Sequence, residues 1–302
     1  MNRTFTRSLY QAATALPFEV LRQNESRFVR NARVLEADLE TAIEERQLVL
    51  HYQPKVSLCN RKLIGFEALV RWNHPERGLL RPAEFIPLAE STGLAVPLNR
   101  WVLKQACRQM ASWQTAFPME VPLTIGVNTS FKYLSSPCLI PDIQRLLVET
   151  GLKPGSLRLE MAESSITAYG QTAKTTFAKL KAMLIGLEID DFGTGPDSIG
   201  YLRTLSFDTL RIDRSFVRNI GMRNDSSNVI GSILMFVKFL GMNAAAQGVE
   251  TEEQLKKLTA LGCLRGQGYY FSRPVDTASA TALAEDEIAT AFLNGHTEHV
   301  AM

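Results

Sequence analysis

The most regular feature of the chain is a set of short apolar runs of four to nine residues that alternate with longer stretches of helical periodicity. From Phe28 through Ala32, Leu35, Leu39 and Ile43 the apolar residues step by three or four between Arg27, Arg30, Arg33, Asp38, Glu40 and Glu44, which predicts an amphipathic helix leading into the body of the chain. Beyond residue 46 the runs that read as strands are Leu48–Gln53, Leu63–Arg71, Leu123–Asn128, Leu157–Met161, Leu187–Asp191, Thr209–Ile212, Met242–Ala246 and Gly268–Phe271. Helical stretches lie between them: Pro97–Phe117, Pro141–Thr150, Thr172–Leu184, Asp225–Leu240, and one that opens at Thr251-Glu-Glu-Gln254 and closes at Gly262. The spacing of Thr251 and Gln254 suits a capping box, in which each side chain satisfies the other's free backbone donor. Eight strands mostly separated by helices predict an α/β fold, a (β/α)8 barrel of TIM type. The first two strand runs are joined only by a turn at Asn60-Arg61, so the barrel is expected to begin with an antiparallel strand.

Composition narrows the class. At 302 residues, 45% hydrophobic and 21% charged, the chain can bury a large core and is not a disordered or collagenous sequence. Thirty-three basic and 31 acidic residues give a formal charge of +2, which provides no broad field for DNA or anionic lipid, so any charged ligand must be met locally. No apolar window is long enough to span a membrane, and Met1–Val20 lacks the form of a signal peptide. Cys59, Cys107, Cys138 and Cys263 are scattered, which suits reduced thiols and a cytoplasmic location. The four histidines have no metal-binding spacing, so any metal would need oxygen ligands. No Gly/Ser linker divides the chain. The expected organisation is an extension at residues 1–35, a barrel domain at 36–285 and a tail at 286–302.

In a barrel of this kind the chemistry gathers at the C-terminal ends of the strands. The polar residues there are Glu67 and Arg71, Asn128, Glu160 with Glu163, Asp190 and Asp191, Arg211 and Asp213, Gln247, and Gln267. Several carboxylates converging on one mouth repel one another unless a cation neutralises them, and oxygen donors alone point to Mg²⁺, Mn²⁺ or Ca²⁺. Adjacent Asp190 and Asp191 could serve one ion each, the arrangement that activates water and stabilises a leaving oxygen in phosphodiester cleavage. Each position also has a simpler structural reading: Asp190-Asp191 as a cap or turn, Glu67 as a partner of Arg71, Asn128 as a cap for the segment after it.

The run Phe66-Glu-Ala-Leu-Val-Arg-Trp72 resembles the signature of EAL domains, bacterial phosphodiesterases acting on cyclic di-GMP. Tyr52-Gln-Pro54, Phe85-Ile-Pro-Leu-Ala-Glu90, Val127-Asn-Thr-Ser130, Glu160-Met-Ala-Glu163, Asp190-Asp-Phe-Gly-Thr-Gly195, Ile212-Asp-Arg-Ser-Phe216, Gly248-Val-Glu-Thr251 and Gln267-Gly-Tyr269 through Arg273-Pro274 resemble further family motifs in order. The resemblance implies a barrel with an antiparallel first strand, and hydrolysis of cyclic di-GMP to the linear dinucleotide with two Mg²⁺ or Mn²⁺ ions. It implies that Glu67, Asn128, Glu160 and Asp190 hold one ion and that Asp191 reaches the second. Gln267 would orient the attacking water, Glu163 would anchor the segment after Asp191, and Gln53 and Arg71, with Asp213 as a further candidate, would contact the dinucleotide. Homodimers and protein partners are also implied.

Two positions depart from the pattern. Arg211 stands where the family has a catalytic lysine, and Gln247 where it has a metal-binding glutamate. Arginine keeps the charge but spreads it over a planar fork that does not release its proton. Gln247 keeps the shape of glutamate and removes a charge worth roughly 4 kcal/mol beside a unit charge about 4 Å away at an effective dielectric of about 20. In the loop after Gly195, Pro196-Asp197 replace the usual Tyr-Ser, and the proline fixes a backbone angle there. The expectation is a degenerate EAL domain that recognises cyclic di-GMP with little or no hydrolysis, retains one metal position and has a doubtful second. The alternatives are a slow or active phosphodiesterase, in which Gln247 still offers a carbonyl oxygen, and a nucleotide-independent protein scaffold.

Overall fold

The structure is a computed structural model and describes residues 34–169, 173–192, 202, 205–222 and 225–286. The strands are β1 (Leu48–Ser57), β2 (Leu63–His74), β3 (Gly78–Leu80), β4 (Thr124–Asn128), β5 (Leu157–Ala162), β6 (Gly186–Phe192), β7 (Thr209–Ile212), β8 (Asn243–Gln247) and β9 (Arg265–Gln267). Their order is β1-β9-β8-β7-β6-β5-β4-β2, and β1 also pairs with β2, so eight strands close into a barrel. β1 runs antiparallel to both of its neighbours, while the other barrel neighbours run parallel. The short β3 extends the outer end of β2 as a hairpin.

Seven of the expected strands recur with small changes of boundary. The eighth is displaced: Gly268–Phe271 forms a turn, and the ladder to β1 and β8 is made by Arg265–Gln267. The sequence there favours the aromatic run Tyr269-Tyr-Phe271 as a strand. The backbone instead folds back, with Tyr270 and Phe271 nitrogens donating to Val249 and Gly268 oxygens. A helix at Pro82–Thr92 escaped the periodicity because Pro87 lies inside it. Its ends are well marked: Arg81 N donates to Glu84 Oε2 at 2.7 Å, and Gly93 closes it with φ 88°. The predicted box at Thr251 forms as expected, with Gln254 N donating to Thr251 Oγ1 at 3.2 Å and Thr251 N to Gln254 Oε1 at 3.1 Å. Of the lead-in helix, residues 34–43 are helical, and residues 28–33 lie outside the described residues.

Strand alternation explains the division of the interior. Phe66, Ala68 and Val70, Ile125 and Val127, Leu157, Leu159 and Met161, Leu187 and Ile189, and Leu210 and Ile212 are buried in the main hydrophobic core. Since successive side chains point to opposite faces, the residues between them form the other face: Glu67, Asn128, Arg158 and Glu160, Glu188 and Asp190, Thr209 and Arg211. The apolar face packs outward against the helices, and the barrel lumen is polar. Such barrels usually fill their lumen with layers of branched aliphatic side chains. Here charged groups occupy it, and they must neutralise one another or a ligand.

Candidate functional site

The polar lumen residues meet at one point, the guanidinium of Arg211, which is 1% exposed. Its Nη2 donates to Glu67 Oε2 at 2.7 Å and its Nη1 to Glu160 Oε2, with Asp190 Oδ2 at 3.4 Å from Nη1. Asn128 Nδ2 donates to the other Glu67 oxygen at 2.7 Å, and Gln267 Nε2 to Glu67 Oε2 at 2.5 Å. The planar fork of arginine suits this task, since one cation can bridge two carboxylates from different strands. Burial alone would raise the Glu67 carboxyl. Arg211 and Lys55, together with the amides of Gln267 and Asn128, reverse the effect and hold it at about 2.

Lys55 was not anticipated. It follows Gln53 by two residues on β1 and so shares its face, and its Nζ donates to Glu160 Oε1 at 2.6 Å and to Glu188 Oε2 at 2.8 Å. The signal was present in the sequence: a lysine at an inward position of a strand, and Glu188 two residues before Asp190 on β6. Gly126 on β4 makes room for this pair. A Cβ there would lie 1.8 Å from Glu160 Oε1 and 2.8 Å from Lys55 Nζ.

Asp190 and Asp191 close β6 differently from regular strand residues. The register to β7 slips between Ile189 and Phe192, and Asp191 has φ 55°, a left-handed conformation that aspartate tolerates better than most residues. A bulge of this kind re-aims side chains that would otherwise face opposite sides of the sheet. Asp191 N donates to Asp190 Oδ1 at 2.9 Å, and the same oxygen accepts from Gln247 Nε2 at 2.5 Å. Burial, then the charges of Glu67 and Asp191, push the Asp190 carboxyl up to about 8. Burial also raises Asp191, reinforced by the charge of Asp213 and a hydrogen bond to it. Asp213 also caps the helix Arg214–Arg218, accepting from Ser215 N at 2.9 Å.

The remaining candidates fall around this centre. Gln53 Oε1 accepts from Gln267 Nε2 at 3.4 Å, and its own amide reaches Ser272 O at 3.2 Å. Arg71 donates to Val70 O at 2.8 Å, while Glu67 is bridged by Arg211. Asn128 is not a cap: Ser130 caps the helix Phe131–Leu134. Glu163 is buried at the start of the helix Glu163–Tyr169, but the segment it is expected to anchor, including Pro196 and Asp197, lies outside the described residues. Tyr269 is half exposed, with the Arg273 guanidinium 4.3 Å from its ring centre.

Whether these residues suit a divalent ion depends on the pair considered. Asp190 and Asp191 are oxygen donors whose ionised forms are disfavoured by burial and by neighbouring carboxylates, Glu67 and Asp191 for Asp190 and Asp213 and Glu67 for Asp191, a conflict that a hard cation relieves. Glu67 and Glu160 already have Arg211 between them. At the Gln247 position an amide nitrogen, not a carboxylate, faces Asp190. Asp190 and Asp191 thus offer oxygen donors to a cation, while among the described residues no group of three or more Asp, Glu, His or Cys side chains is arranged to hold one.

The raised Asp190 predicts a pH dependence. Its ordinary pKa of 3.8 rises to about 8 on folding, so between those values the folded protein holds a proton that the unfolded chain has released. Its stabilising contribution is present at the acid end of the window and is lost as pH rises through about 8. The metal-free protein is expected to be more stable at pH 6 than at pH 8.5 by about 1–3 kcal/mol, measured by urea unfolding. A flat profile that turned down only below pH 4.5, where Glu67 of the unfolded chain takes up a proton that the fold still excludes, would show that Asp190 ionises normally.

The chain is thus a closed (β/α)8 barrel with an antiparallel first strand and a cluster of acids at the ends of its strands. The sequence profile of the EAL domain family matches residues 36–274, and the chain belongs to that family. It is 41% identical over 238 residues to the bifunctional diguanylate cyclase/cyclic di-GMP phosphodiesterase MucR of Pseudomonas aeruginosa, covering 79% of this chain and 34% of MucR. With the cyclic di-GMP phosphodiesterase NbdA of the same organism it shares 37% identity over 245 residues, 81% of this chain and 31% of NbdA. The chain thus spans about a third of the length of these relatives. Among solved structures, the PaMucR phosphodiesterase in complex with c-di-GMP aligns at a TM-score of 0.76 and 40% identity, over 81% of this chain and 98% of that one. The FimX EAL domain from Pseudomonas aeruginosa bound to c-di-GMP aligns at 0.72 and 26% identity, over 79% and 95%. Among the described residues no helix is long and apolar enough to cross a membrane.

Proposed function

We propose that this chain is a cyclic di-GMP receptor in second-messenger signalling, an EAL domain that recognises the dinucleotide at the C-terminal mouth of its barrel and hydrolyses it little or not at all. The observation that carries this reading is Arg211, whose guanidinium bridges Glu67 and Glu160 and so supplies, from within the chain, charge that the family takes from metal ions. Gln247 supports it, since its amide donates to Asp190 where a glutamate would add a second negative charge. In this reading Gln53, Arg71 and Asp213 would contact the dinucleotide, Gln267 would orient a water and Glu163 would anchor the segment after Asp191. One Mg²⁺ or Mn²⁺ would be held by Asp190 and Asp191, and when bound it would lower the pKa of a coordinated water and neutralise phosphate charge. The barrel unit would run from residue 36 to 285, between an extension at 1–35 and a tail at 286–302.

A second reading, a slow phosphodiesterase, is favoured by the raised Asp190 and Asp191, which remain suited to a cation. One titration and one incubation separate the possibilities. Calorimetry with cyclic di-GMP in Mg²⁺ is expected to give saturable binding that Arg71→Ala weakens about tenfold, about 1.4 kcal/mol, with the fold unchanged by circular dichroism. Absence of any binding heat would favour a protein scaffold, with or without homodimerisation. Micromolar protein incubated with excess cyclic di-GMP and Mn²⁺ should yield less linear dinucleotide than there is protein, and multiple turnovers by chromatography would establish the enzyme.

A further inference from the structure

The barrel is open at its other end as well. A cavity of about 760 Å³ enters from the N-terminal ends of the parallel strands and rises to Lys55, Arg211 and Gln247 beneath the carboxylate cluster. Its charged lining is mostly basic. Lys62, Arg158 and Arg265 face it, against Glu188 within and the exposed Glu120 at its rim. Glu188 is held by Lys55 at 2.8 Å and lies 3.8 Å from Arg158. Among the described residues neither Lys62 nor Arg265 has an ion-pair partner. Burial and the neighbouring charge of Arg158 both disfavour the protonated form of Arg265, and Glu188 offsets them only in part, so Lys55, Arg158 and Arg265 share the one carboxylate of Glu188 in this space.

A second, independent feature lies in the same wall. Thr209 is buried, lines the cavity, and its hydroxyl has no hydrogen-bond partner. Buried polar atoms are almost always paired, and an orphan hydroxyl in the wall of a cavity is one that a water or an occupant would satisfy. Met119, Val121 and Ile64 supply an apolar wall beside the cations. Basic side chains that share a single carboxylate, an unsatisfied hydroxyl and an apolar wall are the elements of a pocket for a small amphipathic anion.

We propose that the N-terminal mouth of the barrel is a second ligand site, separate from the C-terminal mouth, that takes a small organic anion: a phosphate or carboxylate on an apolar body. Arg158 and Arg265 hold the anionic head, Thr209 donates to it, and the Met119–Val121 segment covers the body. Lys55 and Arg211 form the ceiling of this site and also neutralise Glu160 and Glu67 above it, so an occupant shares two cations with the upper mouth.

The test uses the full chain labelled with ¹⁵N and three probes of one shape: 1-naphthyl phosphate, 1-naphthoate and neutral 1-naphthol. The expected result is saturable shifts of the Thr209 and Gly266 amides with the anionic probes, smaller effects at Asn128, and at least tenfold weaker binding in Arg265→Ser. Whichever anion binds tighter identifies the head group the site prefers. Lys62→Ser, at an exposed position, should weaken binding about threefold and serves if Arg265→Ser does not fold. Equal binding of 1-naphthol, unchanged affinity in the folded variants, or shifts confined to the upper mouth would each overturn the proposal.

Discussion

Replacing Arg211 with Lys and Gln247 with Glu together is expected to raise Mn²⁺-dependent release of linear dinucleotide from cyclic di-GMP by on the order of 10²-fold or more, the scale of a restored acid–base or metal contribution. The first change removes the fork. A lysine carries its charge at one point and does not span Glu67 and Glu160 as the two guanidinium nitrogens do, so at least one carboxylate is released to the mouth. The second change places a carboxylate where Gln247 Nε2 now donates to Asp190 Oδ1 at 2.5 Å. Without a metal the added carboxylate lies beside Asp190, which already carries its proton, and has no cation to neutralise it, so the double variant should be less stable than the native protein. Millimolar Mn²⁺ should recover that loss, because an ion that binds only the folded state stabilises it by mass action. Thermal unfolding with and without Mn²⁺ reads this effect independently of turnover. A double variant whose melting temperature responds to Mn²⁺ but which remains inert would show that catalysis was lost elsewhere in the site.

The two substitutions were visible in the sequence because each interrupts a motif, but their consequence was not. Period-two alternation gave the strands, and strand ends gave the acids; both follow from local rules and survive in the fold. What local rules could not supply is which charge neutralises which. Glu67 is four residues from Arg71, the pairing suggested by proximity, yet its partner is Arg211, 144 positions along the chain, brought across the lumen by closure of the barrel. Lys55 was missed for the same reason: read along β1 it resembles a solvated lysine, and only closure sets it against Glu160 and Glu188. The displaced last strand shows the converse error, where the strand propensity of Tyr269-Tyr-Phe271 was outweighed by the backbone bonds available at Val249. The bulge at Asp190-Asp191 combines both limits, since the sequence supplies the two acids and the slip against β7 decides where they point.

Arg211→Met is expected to destabilise the protein by about 3–5 kcal/mol at pH 7, measured by urea unfolding, because it removes one partner of a buried ion pair and leaves the other in place. Methionine approximates the volume of the arginine stem, so little of the loss would come from a cavity. The cost is electrostatic, and it should therefore depend on pH. In the native protein Glu67 is held at about 2, below its ordinary 4.5, so its contribution is full above pH 4.5 and is lost as pH falls towards 2. Without Arg211 the burial of Glu67 dominates and its carboxyl rises, since Lys55 lies closest to Glu160 and Glu188 and compensates Glu67 only in part. The variant should then regain stability relative to native as pH falls from 7 to 5, because a protonated Glu67 no longer needs a cation. Asp190, which already carries its proton at both pH values in the native fold, should contribute little to that difference. A loss below about 1 kcal/mol at pH 7, or one equal at pH 5 and pH 7, would mean that Arg211 is not the cation that neutralises the lumen, and the receptor reading would lose its main support.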